Sequence, residues 1–216
     1  QYLAWQQREG DHKRAPLSLY LHLPFCKDIC YYCACNKIVS RQKGVARRYL
    51  DHLNQEIARQ SELVGKSRPI TQMHWGGGTP TYLDNAEITE LMHQLATHFR
   101  LLDKDYREYS IEIDPRTVEH STIALLKGLG FNRISLGIQD FDPLVQQAIN
   151  RVQSYESVAP LVDNIRANDF RSLSFDLIYG LPHQDRFTMK ETLRQVMSLR
   201  PDRIACYNYA HLPQRF

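Results

Sequence analysis

The chain's 216 residues suffice for one large domain or two small ones with a sizeable buried core. Hydrophobic content of 43% and charged content of 24% are those of an ordinary globular protein, and a net charge of +3 without a basic block gives no footing for nucleic acid or a membrane surface. No apolar run approaches a membrane span and the polar residues 1–16 carry no signal core, so a cytoplasmic protein that binds neither nucleic acid nor membrane is expected.

Residues 1–18 read as an amino-terminal extension, and strand and helix patterns alternate after it. A strand over residues 19–23 runs into a loop that carries four cysteines. Residues 45–64 predict a helix, because Val45, Tyr49, Leu53 and Ile57 recur every four residues on one face. A strand over 70–75 ends in Gly76-Gly77-Gly78-Thr79-Pro80, followed by a helix over 86–99 and a strand over 109–113. The next helix, 119–129, stops at Gly128 and Gly130. Strands at 133–139, 173–178 and 203–209 alternate with helices at 143–149, 155–168 and 187–199. Six such units with no linker between them predict one α/β domain with a parallel sheet.

The strands alternate, although a strand covered by helices on both faces should be apolar throughout. Tyr109, Ile111 and Ile113 oppose Ser110, Glu112 and Asp114, and Leu173, Phe175 and Leu177 oppose Ser174 and Asp176. Ile134, Leu136 and Ile138 oppose Arg133, Ser135 and Gln139; Tyr20 and His22, and likewise Gln72 and His74, share the polar side of their strands. One face of the sheet is greasy and the other polar. A closed eight-stranded barrel fills its interior with apolar side chains, so six units with a polar interior predict an open barrel, outer helices and a wet cleft.

Four of the five cysteines fall at Cys26, Cys30, Cys33 and Cys35, after the first strand, where parallel barrels place their sites. Clustered thiols in a chain without a signal favour metal over disulfides. Three thiolates suit an iron–sulfur cubane with one open iron. Zinc is the alternative, although only one close pair of cysteines is present; a chance cluster of core thiols is the plainest reading. For Gly76 to Pro80 the plain reading is a strand-to-helix turn, and for Glu112 and Asp176 an ordinary salt bridge at a barrel rim.

This cysteine spacing resembles the signature of the radical S-adenosylmethionine (SAM) superfamily. The flanks Tyr20-Leu21-His22-Leu23-Pro24-Phe25-Cys26 and Cys33-Ala34-Cys35-Asn36-Lys37 resemble more closely its oxygen-independent coproporphyrinogen III oxidase (dehydrogenase) family. So do the glycine motif, Glu112-Ile113-Asp114-Pro115-Arg116, residues 137–142, Asn150-Arg151-Val152-Gln153 and residues 176–182. The resemblance spans residues 19–212. It implies an open partial (β/α)6 barrel of the radical SAM type, with Cys26, Cys30 and Cys33 on a [4Fe–4S] cluster and Cys35 not a ligand. It implies two SAM molecules, with Tyr20, Tyr32, Gly78, Thr79, Glu112, Gln139, Arg151 and Asp176 contacting SAM and Ile178 and Ala210 near the second. Tyr32 would pack over the cluster and adenine, and the glycines would let backbone groups approach the methionine end of SAM.

The implied reaction converts two propionates of coproporphyrinogen III to vinyl groups through a 5'-deoxyadenosyl radical, giving protoporphyrinogen IX in haem biosynthesis. An electron donor feeds the cluster, and a monomer is expected. No catalytic side chain is assigned. The alternative is a haem chaperone relative that binds cluster, SAM and haem without oxidase activity; such relatives carry Phe where this chain has Cys35. The family's carboxyl-terminal domain is expected to be absent from this chain, which by itself should hold cluster and SAM weakly and turn over little.

Among the remaining residues, His22 is a candidate contact for substrate or cluster, and His74 is left open. Cys206 is expected to be a buried small hydrophobe. Tyr207 and Tyr209 are expected to face inward or to fill the core. Lys43, Arg47 and Arg48 are expected to form a solvated helix face.

Overall fold

Apolar alternation on strands and apolar stripes on helices organise the chain around one main parallel sheet with helices on its outer face. The computed structural model describes residues 15–42, 44–211 and 213. β1 (Leu17–Leu23) runs into a short β2 (Phe25–Cys26), and β3 (Ile38–Val39) closes the cysteine loop. Then come α1 (Val45–Val64), β4 (Pro69–Gly77), a 3-10 turn at Pro80–Tyr82, α2 (Asn85–His98), β5 (Arg100–Leu101) and β6 (Glu108–Ile113). α3 (His120–Gly128), β7 (Arg133–Gln139), α4 (Pro143–Ala148), α5 (Tyr155–Ala167), β8 (Ser172–Tyr179), α6 (Arg186–Ser198) and β9 (Arg203–Asn208) complete it.

The main sheet runs β1-β4-β6-β7-β8-β9, every pair parallel, with β5 added beside β4. β1 and β9 end the path without pairing, so the barrel is open as predicted. A second, two-stranded parallel sheet joins β2 to β3 across the cysteine loop. No helix among the described residues is long and apolar enough to cross a membrane.

Local chemistry explains the helix boundaries. Asp84 and Glu87 form a reciprocal capping box at α2, and Asp185 does the same with Thr188 at α6. Asp142 accepts from the amides of Leu144 and Val145 and precedes Pro143, a residue whose missing N–H costs nothing at that position. α3 ends where Gly130 takes φ 97°, which a side chain would resist.

The core lies between the outer face of the sheet and the helices. Trp75, Ile111, Leu136 and Phe175 are each 0% exposed and share one buried cluster with Ile88, Leu91 and Leu95 of α2 and Val158 and Val162 of α5. Each such apolar side chain contributes about 1.5–3 kcal/mol on burial. Trp75 meets Phe131 edge-on, with ring centroids 5.1 Å apart.

Three expectations need correction or restriction. Cys206 is exposed, because it sits on the outer face of the end strand β9, where Ile204 is also 42% exposed and no described helix covers them. Arg47 is not merely solvated: its guanidinium binds Glu90 of α2 with two hydrogen bonds, of 2.5 and 2.9 Å, and ties α1 to α2. Lys43 of that face, residues 1–14 of the predicted extension and residue 212 lie outside the described residues.

Candidate functional site

The carboxyl ends of the strands surround a cavity of about 340 Å³, within the range of small-molecule sites. Cys26, Cys30, Cys33 and Cys35 line it together with Glu112 and Asp176. Gly78, Thr79, Gln139, Arg151 and Tyr32 also line it, so ten of the predicted site residues share one space. The polar interior continues toward the other end of the strands as a second cavity of about 440 Å³, with Gln72, Glu108, Ser110 and Arg133 in its wall.

The cysteine loop is fixed by backbone hydrogen bonds and by the turn after α4. Ile38 N–H donates to Pro24 O and Ser40 N–H to Cys26 O, forming the small β2–β3 sheet. Tyr31 N–H donates to Ile149 O at 3.0 Å, and the Asn150 side chain donates to Ile29 O at 2.7 Å. Asn150 holds φ 52°, a conformation Asn tolerates better than most residues.

Each cysteine has its own environment. The Cys26 thiol faces Thr79 Oγ1 at 3.7 Å, and burial pushes its pKa up. Hydrogen bonding from Cys35, with help from the Lys37 ammonium, draws the Cys33 thiol down to about 6 against the opposing effect of burial. Cys35 is exposed, and its hydrogen bond to Cys33 holds its own pKa up. Cys30 is buried, with two arginines against its sulfur: Arg151 Nη1 and Arg116 Nη2 each stand 3.6 Å away.

Those arginines share one carboxylate. Asp114, 7% exposed, takes Arg116 through Nε and Nη2 and Arg151 through Nη1 at 3.1 Å. Burial alone would raise the Asp114 carboxyl, but the Arg151 charge and the Arg116 hydrogen bonds outweigh it and hold it below the usual range. Arg151 Nη2 also donates to Gly137 O at 2.7 Å. A side chain at Gly137 would collide with Arg151 Nη2 at 2.8 Å and with Gln139 Nε2 at 2.9 Å, which explains the glycine. Gln139 itself sits at φ 66° where the β7–β8 register slips, an uncommon backbone state for a side-chain-bearing residue. Gln153 supports that bulge by donating to Gly137 O and Ile138 O.

The glycine motif is also part of the internal packing of the site. Gly77 N–H donates to Glu112 Oε2, Gly78 N–H to Leu23 O and Thr79 N–H to Phe25 O, so all three amides are spent inside the protein. A Cβ on Gly78 would lie 2.7 Å from Pro24 O and Phe25 O, and one on Gly77 2.7 Å from the His22 ring. The glycines therefore let the cysteine loop and His22 pack against β4.

At the acidic end, His74 bridges Ser110 Oγ at 2.6 Å and Glu112 Oε1 at 3.0 Å. Each Glu112 oxygen thus has one protein partner and keeps capacity for another. Burial, reinforced by the Glu112 charge, raises Asp176 to about 6 despite a hydrogen bond from Ser135.

Several predicted residues stand apart from the cavity. Tyr20 is 59% exposed, stacks on His74 with centroids 5.8 Å apart and meets His22 through its hydroxyl. His22 uses its other ring nitrogen on Asn36 O, so it tethers the exit of the cysteine loop. Ile178 packs in a small apolar cluster with Val145, Ile149 and Leu181, against which Tyr32 and Tyr209 rest. Ala210 is exposed beyond β9, while Tyr207 does reach the cavity wall. Arg116 and Asp114 went unassigned in the sequence; the string Glu112-Ile113-Asp114-Pro115-Arg116 was the available signal.

A [4Fe–4S] cluster and SAM fit these residues. The three thiols open onto one cavity. Arg151 lines the same space, and its Nε is buried without a hydrogen-bond partner. A ligand with a carboxylate, an amine and hydroxyl groups would find both cations (Arg116, Arg151) and carboxylates (Glu112, Asp176) in the lining.

Comparison with known proteins agrees with this geometry. The profile of the Radical SAM superfamily matches residues 20–196. An oxygen-independent coproporphyrinogen III oxidase of Pseudomonas aeruginosa is 50% identical over 201 residues, covering 93% of this chain and 44% of that protein. That of Escherichia coli K12 is 46% identical over 213 residues, covering 99% and 46%. The solved E. coli coproporphyrinogen III oxidase (HemN), described as a radical SAM enzyme, superposes with a TM-score of 0.92 at 46% identity, covering 98% of this chain and 48% of that one. Methylornithine synthase, at 15% identity and a TM-score of 0.63, shares the fold. The chain spans less than half the length of the coproporphyrinogen oxidases it matches.

Proposed function

The chain belongs to the radical SAM superfamily, a family that uses a [4Fe–4S] cluster and SAM, and on that premise we propose that it is the cofactor-binding core of an oxygen-independent coproporphyrinogen III oxidase. The observation that carries the reading is the meeting of Cys26, Cys30 and Cys33, the Arg151–Asp114–Arg116 group and the Glu112–Asp176 pair around one cavity.

Cys26, Cys30 and Cys33 would hold the cluster. Cys35 would stay outside, serving Cys33 through its hydrogen bond. Glu112, oriented by Gly77 and His74, binds amine or hydroxyl groups of SAM; Asp176 does the same from the neighbouring wall. Gln139 is presented by its bulge, and Arg151 is aimed by Asp114 and Gly137. Thr79 and Gly78 bind the same ligand, and Tyr32 covers the cluster side. Tyr20 contacts SAM from the rim. A second SAM would lie by Ile178 and Ala210. When bound, the two cofactors would supply radical chemistry of the kind that oxidative decarboxylation of a propionate to a vinyl group requires. An electron donor to the cluster and an acceptor for the substrate's electron complete the balance. The protein would act as a cytoplasmic monomer.

The test is anaerobic incubation of the reconstituted protein with SAM, a one-electron reductant and coproporphyrinogen III. Protoporphyrinogen IX together with 5'-deoxyadenosine supports the reading. Stoichiometric binding of added haem, with no product from coproporphyrinogen III, would overturn it in favour of a chaperone.

A further inference from the structure

Arg116 leaves β6 just beyond Asp114, on the turn made by Pro115, and folds back onto the cysteine loop. Its Nη2 donates to Asp114 Oδ2 at 2.6 Å and to Cys30 Sγ at 3.6 Å, while Nη1 reaches Asn150 O at 3.4 Å. Arg151 approaches the same sulfur and the same carboxylate oxygen from the other side, at 3.6 and 3.1 Å. Two guanidinium groups and one carboxylate therefore stand behind a single cysteine, with a surplus of one positive charge. Among the described residues, Cys26 faces the Thr79 hydroxyl at 3.7 Å, and Cys33 has the Cys35 thiol and the Lys37 ammonium, which also binds its carbonyl. The paired guanidinium groups sharing one carboxylate are found at Cys30.

We propose that Arg116 is a positioning residue that, with Arg151, sets the reduction potential of the cluster through Cys30, while Asp114 holds both arginines and offsets one of their charges. The proposal rests on the reading above that Cys26, Cys30 and Cys33 ligate a [4Fe–4S] cluster. One-electron reduction of such a cluster, by a low-potential donor, adds one negative charge to the irons and their sulfur ligands; no proton moves and no bond breaks. N–H donation to a ligand sulfur and a nearby positive charge favour the more negative state, and so raise the potential. Removing Arg116 deletes one N–H···S contact and leaves Arg151 and Asp114 as a neutral pair. Neutralising Asp114 has the opposite effect, since it leaves two uncompensated guanidinium groups behind the sulfur. Opposite signs are what distinguish electrostatic control from a merely structural role.

The experiment is EPR-monitored potentiometry, at fixed pH, on the anaerobically reconstituted chain and on Arg116→Gln, Arg116→Lys and Asp114→Asn, with iron counted in each. In Arg116→Gln the reduced-to-oxidised ratio at a given potential should fall about tenfold, a displacement of about 59 mV for a one-electron couple. Arg116→Lys, which keeps the charge, should recover more than half of that shift. Asp114→Asn should move in the other direction. Equal potentials in all four at equal iron content would overturn the proposal, as would a shift of Arg116→Gln and Asp114→Asn in the same direction. If Arg116→Gln sheds its iron, Arg116→Lys and Asp114→Asn decide: Asp114→Asn above the parent and Arg116→Lys at or below it supports the proposal, and any other order sinks it. A parent chain that takes up no iron and gives no signal removes the cluster itself, and the proposal with it.

Discussion

Asp176 carries a charge that its surroundings resist, and replacing it with Asn makes that resistance measurable. Burial in the cavity wall, with the Glu112 carboxylate nearby, lifts its pKa from an ordinary 3.8 to about 6. At 1.36 kcal/mol per unit, such a shift amounts to about 3 kcal/mol. The cavity wall is partly wetted, so solvent screening reduces the usable figure to about 1–2 kcal/mol. A raised folded pKa means that the folded state binds the proton more tightly. The stabilising contribution is therefore full below the unfolded value of 3.8 and is lost as pH rises through about 6. Above that point the ionised carboxyl strains the fold. In Asp176→Asn the side-chain amide would keep an oxygen for the Ser135 hydroxyl and have no charge to bury. At pH 7.5 Asp176→Asn should melt higher than the parent by about 2–8 °C, since about 1 kcal/mol moves a chain of this size by 2–4 °C. The advantage should shrink as pH falls from 6 to 4. Circular-dichroism melts of both ligand-free proteins from pH 4 to 8 give the comparison. Equal pH slopes between 4 and 6, or a variant less stable than the parent at pH 7.5, would refute the reasoning. The strain is also the reason a ligand amine or hydroxyl is welcome there, so the variant should bind SAM less tightly.

Gly78→Ala would set a Cβ 2.7 Å from Pro24 O and Phe25 O, backbone atoms that move only with the cysteine loop. It should cost about 1–3 kcal/mol by overpacking, seen in urea unfolding, and lower the iron retained after reconstitution. His74→Phe frees Glu112 from one of its two anchors and should weaken SAM binding about tenfold, or about 1.4 kcal/mol, by equilibrium dialysis; His74→Gln should restore part of it. Phe175→Ala, at a position 0% exposed in the core, should cost about 3–5 kcal/mol in urea unfolding while the iron count of the folded fraction stays the same.

Periodicity made the framework legible in the sequence. The Val45–Val64 helix and the Arg133–Gln139 strand fall where their patterns place them, and the other elements differ by one or two residues at their ends. The alternation of Ser110, Glu112, Ser135, Ser174 and Asp176 with apolar neighbours disclosed the polar interior before any contact was known. Other features leave no periodic trace. Phe25–Cys26 and Ile38–Val39 are two-residue strands held by pairing across the loop, and neither can show a repeat. Arg116 follows a proline in a turn, where side-chain direction depends on tertiary contact with Cys30. Cys206 was misplaced because its alternation fixes only which face it takes, while burial needs a covering helix. The glycine motif marked a place of close approach, and one thing that approaches it is the protein's own loop. Glu112, Gln139 and Asp176 came to light through the resemblance together with strand parity, and Arg151 through the resemblance alone; all four share the cavity.

The central claim is that Cys26, Cys30 and Cys33, without Cys35, hold a cubane cluster. Single alanine variants of the four cysteines, reconstituted anaerobically with iron and sulfide, test it through iron per chain and the low-temperature EPR signal after reduction. Cys35→Ala should match the parent in both, and each of the other three should lose most of its iron and its signal. Loss of iron from Cys35→Ala equal to that of the others, or retention of the full signal by any of the other three, would contradict the account.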